Sequence, residues 1–127
     1  MVILPSQLPP AAGWHVRDLV THRFESAPHT GTGPLVIECP QLGPDELWLI
    51  DHAVVACTST DPTEVRWYES TLDPRFLIDG SSVGNFDVAD WPNGLLIQPT
   101  RSLLVAWDGA TSGAVGILTL QTRVLRR

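Results

Sequence analysis

The residues of this chain that could do chemistry are four histidines, two cysteines, five tryptophans and a run of acidic side chains. His15, His22, His29 and His52 fall in four separate segments and lack the paired spacing of a zinc site. A single histidine in a strand reads as a hydrogen-bonded structural residue. His52 follows Asp51, but adjacent side chains on a strand point to opposite faces, so this neighbourhood does not make an acid–base dyad. Cys39 and Cys57 lie in expected strands without CxxC spacing and read as buried free thiols, with a disulfide as the alternative. An approach of Cys39 and His52 across strands would pair a thiol with a base.

The stretch from residue 79 to 90 gathers Asp79, Asn85, Asp87 and Asp90, oxygen ligands of the kind that calcium takes. It lacks EF-hand spacing, and Asp and Asn at this density also serve turns. The chain has no glycine-rich phosphate loop that opens a helix and no serine in a nucleophile-elbow context. The expectation is no catalytic residue, no cofactor and no metal. Trp14 and Trp91 are the candidates for an exposed indole that stacks on a sugar ring, as in carbohydrate-binding sandwiches. Core packing is the competing use of both.

Whatever positions these residues must be built from 127 residues, enough for one ordinary core. Apolar residues make up 43% and charged residues only 17%, below the roughly 25% usual in soluble domains. A surface short of charge suits a protein packed against other subunits, and equally a compact monomer. The net charge of −6 argues against a nucleic-acid partner, because phosphate contacts need clustered cations. All eight basic residues are arginine, which removes lysine Schiff-base chemistry. Arg123, Arg126 and Arg127 gather near residue 127, where they could meet an acidic neighbour or lie solvated. No apolar run approaches the ~20 residues of a membrane helix, and the start lacks the basic and apolar regions of a cleaved signal.

Residues 1–13 hold Pro5, Pro9, Pro10 and Gly13 and read as an extended arm, with residues 14–127 as one domain. Eight or nine short strands follow, at about ten-residue spacing and without helical periodicity, the pattern of an all-β sandwich or barrel. Residues 14–24 fit an edge strand. Residues 46–58 make the longest strand, with Trp48, Ile50, His52, Val54 and Ala56 on one face and Leu47, Leu49, Asp51, Ala53, Val55 and Cys57 on the other. Both faces are apolar, so both need a cover. Trp91-Pro92-Asn93-Gly94 reads as a turn between two strands. In residues 102–125, Leu103, Val105 and Trp107 alternate on one arm and Leu118, Leu120, Thr122 and Val124 on the next. The loop from residue 108 to 113 is rich in Gly, Ser, Asp and Thr, so the two arms are expected to pair as a hairpin.

The run from Leu103 to Gly116, the segment Leu120-Gln121-Thr122-Arg123-Val124, the preceding Pro99-Thr100-Arg101-Ser102 turn and Leu47-Trp48-Leu49-Ile50-Asp51 together resemble small jelly-roll β-sandwich proteins of tailed bacteriophages. That class comprises capsid decoration, or cement, proteins and related minor virion components. The likeness is one of texture over residues 46–125, a Trp-ended strand, a Gly-Ala-rich hairpin and a long final strand, and transfers no functional residue. It implies an antiparallel, jelly-roll-like sandwich of about eight strands and a non-enzymatic subunit on the capsid exterior, made in the host cytoplasm. Its partners would be the major capsid protein and copies of itself, as a trimer, with neither nucleic acid nor membrane. Val2, Ile3, Leu4 and Leu8 of the arm, with Arg126 and Arg127, are the candidate partner contacts. A tail or fibre module and a carbohydrate-binding sandwich are the alternatives.

Overall fold

The computed structural model describes residues 13–40, 42–81, 85 and 87–127. They form eight strands: β1 (His15–Glu25), β2 (Leu35–Glu38), β3 (Glu46–Cys57), β4 (Glu64–Glu69), β5 (Leu77–Ser81), β6 (Asp87–Ile97), β7 (Leu103–Asp108) and β8 (Gly116–Arg126). One 3-10 turn, Pro74–Phe76, precedes β5; Asp73 caps it by accepting from the Arg75 N–H. The expected arm, including Val2, Ile3, Leu4 and Leu8, lies outside the described residues apart from Gly13.

The strands make two four-stranded antiparallel sheets, ordered β1-β8-β3-β6 and β2-β7-β4-β5. β1 pairs with β8, β2 with β7, β3 with β6 and β4 with β5, so the chain is one long nested hairpin. Further pairing of β3 with β8 and of β4 with β7 rolls that hairpin into two sheets. This is the jelly roll, with β1 at an edge as its weak alternation implies.

The expected hairpin between residues 102 and 125 does not form. β7 sits between β2 and β4 in one sheet, while β8 sits between β1 and β3 in the other. Sheets pack about 10 Å apart, a distance that a short glycine-rich connection crosses as readily as it reverses a chain. What decides is burial: residues 103–107 are buried on both faces of β7, which calls for a central place with neighbours on either side. The two arms therefore meet across the core rather than side by side. Gly116 marks the contact, since a Cβ there would lie 2.7 Å from Cζ3 of the fully buried Trp107.

Two further expectations change in detail. The pairing of β3 with β8 shifts between Ile50 and His52, leaving Asp51 without a partner on β8. Such a bulge switches which residues face inward. The core face of β3 is therefore Trp48 and Ile50, then Ala53, Val55 and Cys57, while His52, Val54 and Ala56 join Leu47 and Leu49 outside. Trp91 to Gly94 is not a turn between strands but an irregularity inside β6, opposite the same bulge. β6 is an edge strand, where the missing N–H of Pro92 costs little. Gly94 adopts φ 80°, and a Cβ there would meet Arg123 Nη2 at 2.9 Å.

The core is filled by Trp67, Trp107, Ile50, Ile97, Leu103, Leu118, Leu120 and their neighbours from both sheets. Trp14, expected as a possible exposed platform, is only 4% exposed. It lies beneath the Arg127 guanidinium, 4.7 Å from the ring centroid.

Candidate interaction face

In an antiparallel sheet, residues directly opposite one another share a face. The register therefore builds the outer face of β1-β8-β3-β6 row by row. Leu19, Arg123, Leu49 and Leu96 form one row; Thr21, Gln121, His52 and Asp90 form the next. Arg23, Thr119, Val54 and Val88 follow, then Glu25, Ile117 and Ala56. Leu19 is 75% exposed, Val88 50%, Leu96 43% and Ile117 40%. Four strands at about 4.8 Å and four rows at about 6.8 Å give roughly 500 Å² of face.

Two of the acidic groups on this face are paired. Arg123 donates to both Asp51 oxygens, Nε to Oδ2 at 3.0 Å and Nη2 to Oδ1 at 2.8 Å, a bidentate clamp that the Asp51 bulge makes possible. His52 Nδ1 is hydrogen-bonded to Asp90 Oδ1 across β3 and β6. Over β8 runs a shallow groove of about 240 Å³, whose lining includes Leu19, Thr21, Asp51, Gln121 and Arg123. The face therefore offers apolar contact interrupted by two paired groups, Arg123–Asp51 and His52–Asp90, and by Thr21, Gln121, Arg23 and Glu25.

The His52–Asp90 pair is the feature that sequence reading misses. Asp51 was the obvious neighbour, whereas the real partner is 38 residues away and requires the β3–β6 register. Among the described residues no hydroxyl or thiol hydrogen-bonds to His52. The thiol–base combination does not assemble: Cys39 is buried beside β7, its N–H donating to Leu103 O, while His52 is on the outer face of the other sheet. Both cysteines are free and buried. Burial, and secondarily the Glu38 carboxylate, pushes the Cys39 thiol up to about 12, so it stays protonated and inert.

The other histidines are apart. His15 is exposed at the start of β1. His22 points into the sandwich, stacked on Trp48 at 4.5 Å with Nδ1 3.4 Å from Thr122 Oγ1. Burial lowers its pKa, opposed by the Glu46 carboxylate. His29 organises the loop between β1 and β2: Gly31 N–H donates to Nδ1 at 3.2 Å, so Nε2–H donates to Gly33 O at 3.0 Å.

The structure brings Asp79, Asp87 and Asp90 to one mouth of the sandwich, a cavity of about 190 Å³ between β5 and β6 that also has Val55, Val65 and Trp67 in its wall. Each is engaged locally, Asp79 by the Gly80 N–H, Asp87 by the Val88 N–H and Asp90 by His52. Asn85 Oδ1 accepts from the Cys57 N–H at 3.0 Å. Trp91 is half-buried, its ring edge-on to Trp67 at 5.4 Å. Of the candidate partner contacts, Arg126 Nε lies 3.9 Å from Glu46 Oε2 and Arg127 covers Trp14.

Fold and face together define a class: an all-β jelly-roll sandwich with a mixed, partly apolar outer sheet. The sequence matches no family model and no curated protein.

Proposed function

We propose that this protein is a non-enzymatic structural subunit of a tailed-bacteriophage virion, a decoration protein that self-associates and binds the outside of the assembled shell. The observation that carries the reading is the outer face of β1-β8-β3-β6, with Leu19, Val88, Leu96 and Ile117 exposed beside the Arg123–Asp51 and His52–Asp90 pairs. Such a face is stabilised by a covering protein and gives a small substrate little to hold. The jelly roll is an architecture shared by viral shell proteins, lectins and cupins. The likeness of residues 46–125 to small phage sandwich proteins favours the first of these. Burial of Trp14, Trp48, Trp67 and Trp107 weighs against the sugar-stacking alternative.

Roughly 500 Å² is below the ~800 Å² per partner of a standard interface, so one face alone holds weakly. Many copies on one shell, each contacting several neighbours, turn weak contacts into stable decoration. The test is co-sedimentation of purified protein with undecorated shells and, separately, with isolated tails. Saturable binding to shells is expected. Binding to tails alone would move the protein to the tail or fibre, and glycan-dependent quenching of tryptophan fluorescence without virion binding would favour the carbohydrate reading.

A further inference from the structure

We propose that Asn93 is a site of spontaneous covalent modification, where the side-chain amide converts to aspartate and isoaspartate through a cyclic imide formed with Gly94. The inference stands apart from the shell reading and needs no partner.

The chemistry is a displacement within the chain. The backbone nitrogen of the following residue attacks Cγ of the asparagine. A C–N bond forms, the bond from Cγ to the side-chain nitrogen breaks, and the proton of the attacking N–H leaves with that nitrogen as ammonia. Water then opens the five-membered imide at either carbonyl, giving aspartate or, where the main chain now runs through Cγ, isoaspartate. Nothing is oxidised or reduced. The step is favoured by an asparagine side chain that no hydrogen bond holds, a following residue without a Cβ to crowd the ring, and backbone outside a regular ladder.

The chain has two asparagines, and the fold treats them differently. Asn85 precedes a phenylalanine, and its Oδ1 accepts from the Cys57 N–H at 3.0 Å, which fixes the carbonyl that would be attacked. Asn93 precedes Gly94 and is exposed, and among the described residues no hydrogen bond holds its side chain. The backbone differs too. Ile50 pairs with Leu95 and His52 with Asp90, so residues 91–94 together face Asp51 alone and stand outside the β3–β6 register. Within this irregularity Gly94 takes the left-handed φ of 80°. The two Asp-Gly pairs are poorer sites, because an ionised carboxylate offers no good leaving group. Both are engaged as well, Asp79 by the Gly80 N–H and Asp108 by Arg66.

Gly94 also fixes where the product lies. A Cβ on it would meet Arg123 Nη2 at 2.9 Å and Leu49 Cβ at 3.2 Å, so the bond between residues 93 and 94 borders the outer face. Conversion replaces a neutral amide there by a carboxylate and takes the net charge from −6 to −7. Isoaspartate adds a carbon to the main chain, which an irregularity in an edge strand absorbs more readily than a regular ladder does.

The test incubates the folded full chain in mildly alkaline buffer, digests it and reads both asparagine peptides by mass, with isoaspartate methyltransferase labelling as a second readout. Amide-to-acid conversion and isoaspartate are expected at residue 93, at least about tenfold faster than at residue 85, since only Gly94 leaves the ring uncrowded. Asn93→Gln should abolish the signal, and an exposed position should let that variant fold. The same incubation in urea gives the comparison. Conversion at residue 93 in urea but not in the folded chain would overturn the proposal, because the fold would then protect the bond. Equal conversion at residues 85 and 93 in the folded chain, or none at 93 in either state, would overturn it too.

Discussion

His22 shows how one side chain can set a pH response without belonging to any site. Its ring is pressed between Trp48 and the β1 edge, and burial holds its pKa below the ordinary 6.5. A depressed folded-state pKa means that the unfolded chain takes up the proton first as pH falls. The stabilisation from neutral His22 is therefore fully present above about 6.5 and is lost as pH falls through the depressed value. The urea midpoint should drop as pH falls below about 6.5, and His22→Asn should flatten that drop, because its amide carries no titrating proton. Equal pH slopes for the two proteins would show that His22 is not responsible. Cys39 has the opposite sign, with a thiol raised by burial that ionises only far above neutrality. Among single residues, the sequence made the free, buried cysteines legible through the absence of CxxC spacing. It could not reveal the His52–Asp90 pair, which exists only once the β3–β6 register is set.

At the scale of the element, the Asp51 bulge is what lets a strand apolar on both faces serve one core. Upstream, Trp48 and Ile50 point inward; downstream, Ala53, Val55 and Cys57 do, and the extra residue absorbs the change of parity. Deleting Asp51 would force either Ala53, Val55 and Cys57 outward or the pairing with β8 to slip by one residue. The deletion is expected to abolish cooperative unfolding in circular dichroism. Asp51→Ala, which keeps the residue count and loses only a half-exposed ion pair with Arg123, should cost about 0.5–1 kcal/mol. If the deletion proved as mild as the substitution, the parity argument would be wrong. Strand existence was readable from alternation and turn residues, and so was the edge position of β1. Bulges were not, because nothing in a period-two pattern distinguishes a two-faced strand from two one-faced halves joined out of phase. Pro92 and Gly94 misled for a related reason: residues that can make a turn can equally make an irregularity in an edge strand.

For the whole molecule, the nested pairing matters more than any one contact. Pairing partners were not readable, since β7 and β8 are neighbours in sequence yet belong to different sheets, and only the burial of β7 on both faces decides this. The same topology places β8 between β1 and β3, with His15 opposite Arg126 and Glu25 opposite Ile117. The outer-face sheet therefore has no continuous ladder without β8. During synthesis β1 emerges early, bearing Val20 and Phe24, and must wait for residues 116–126 before it can pair at all, whereas β3 can close first on β6. Loop-closure entropy over about a hundred residues makes this a slow step, and the waiting strand is open to association in the meantime. A purified fragment ending before Gly116 should stay unfolded and aggregate, and one ending after Arg126 should fold, as limited proteolysis would reveal. Protection of the shorter fragment would mean that a partial roll can stand alone. On this account, production of the protein is most vulnerable to aggregation until residues 116–126 are free to pair with β1.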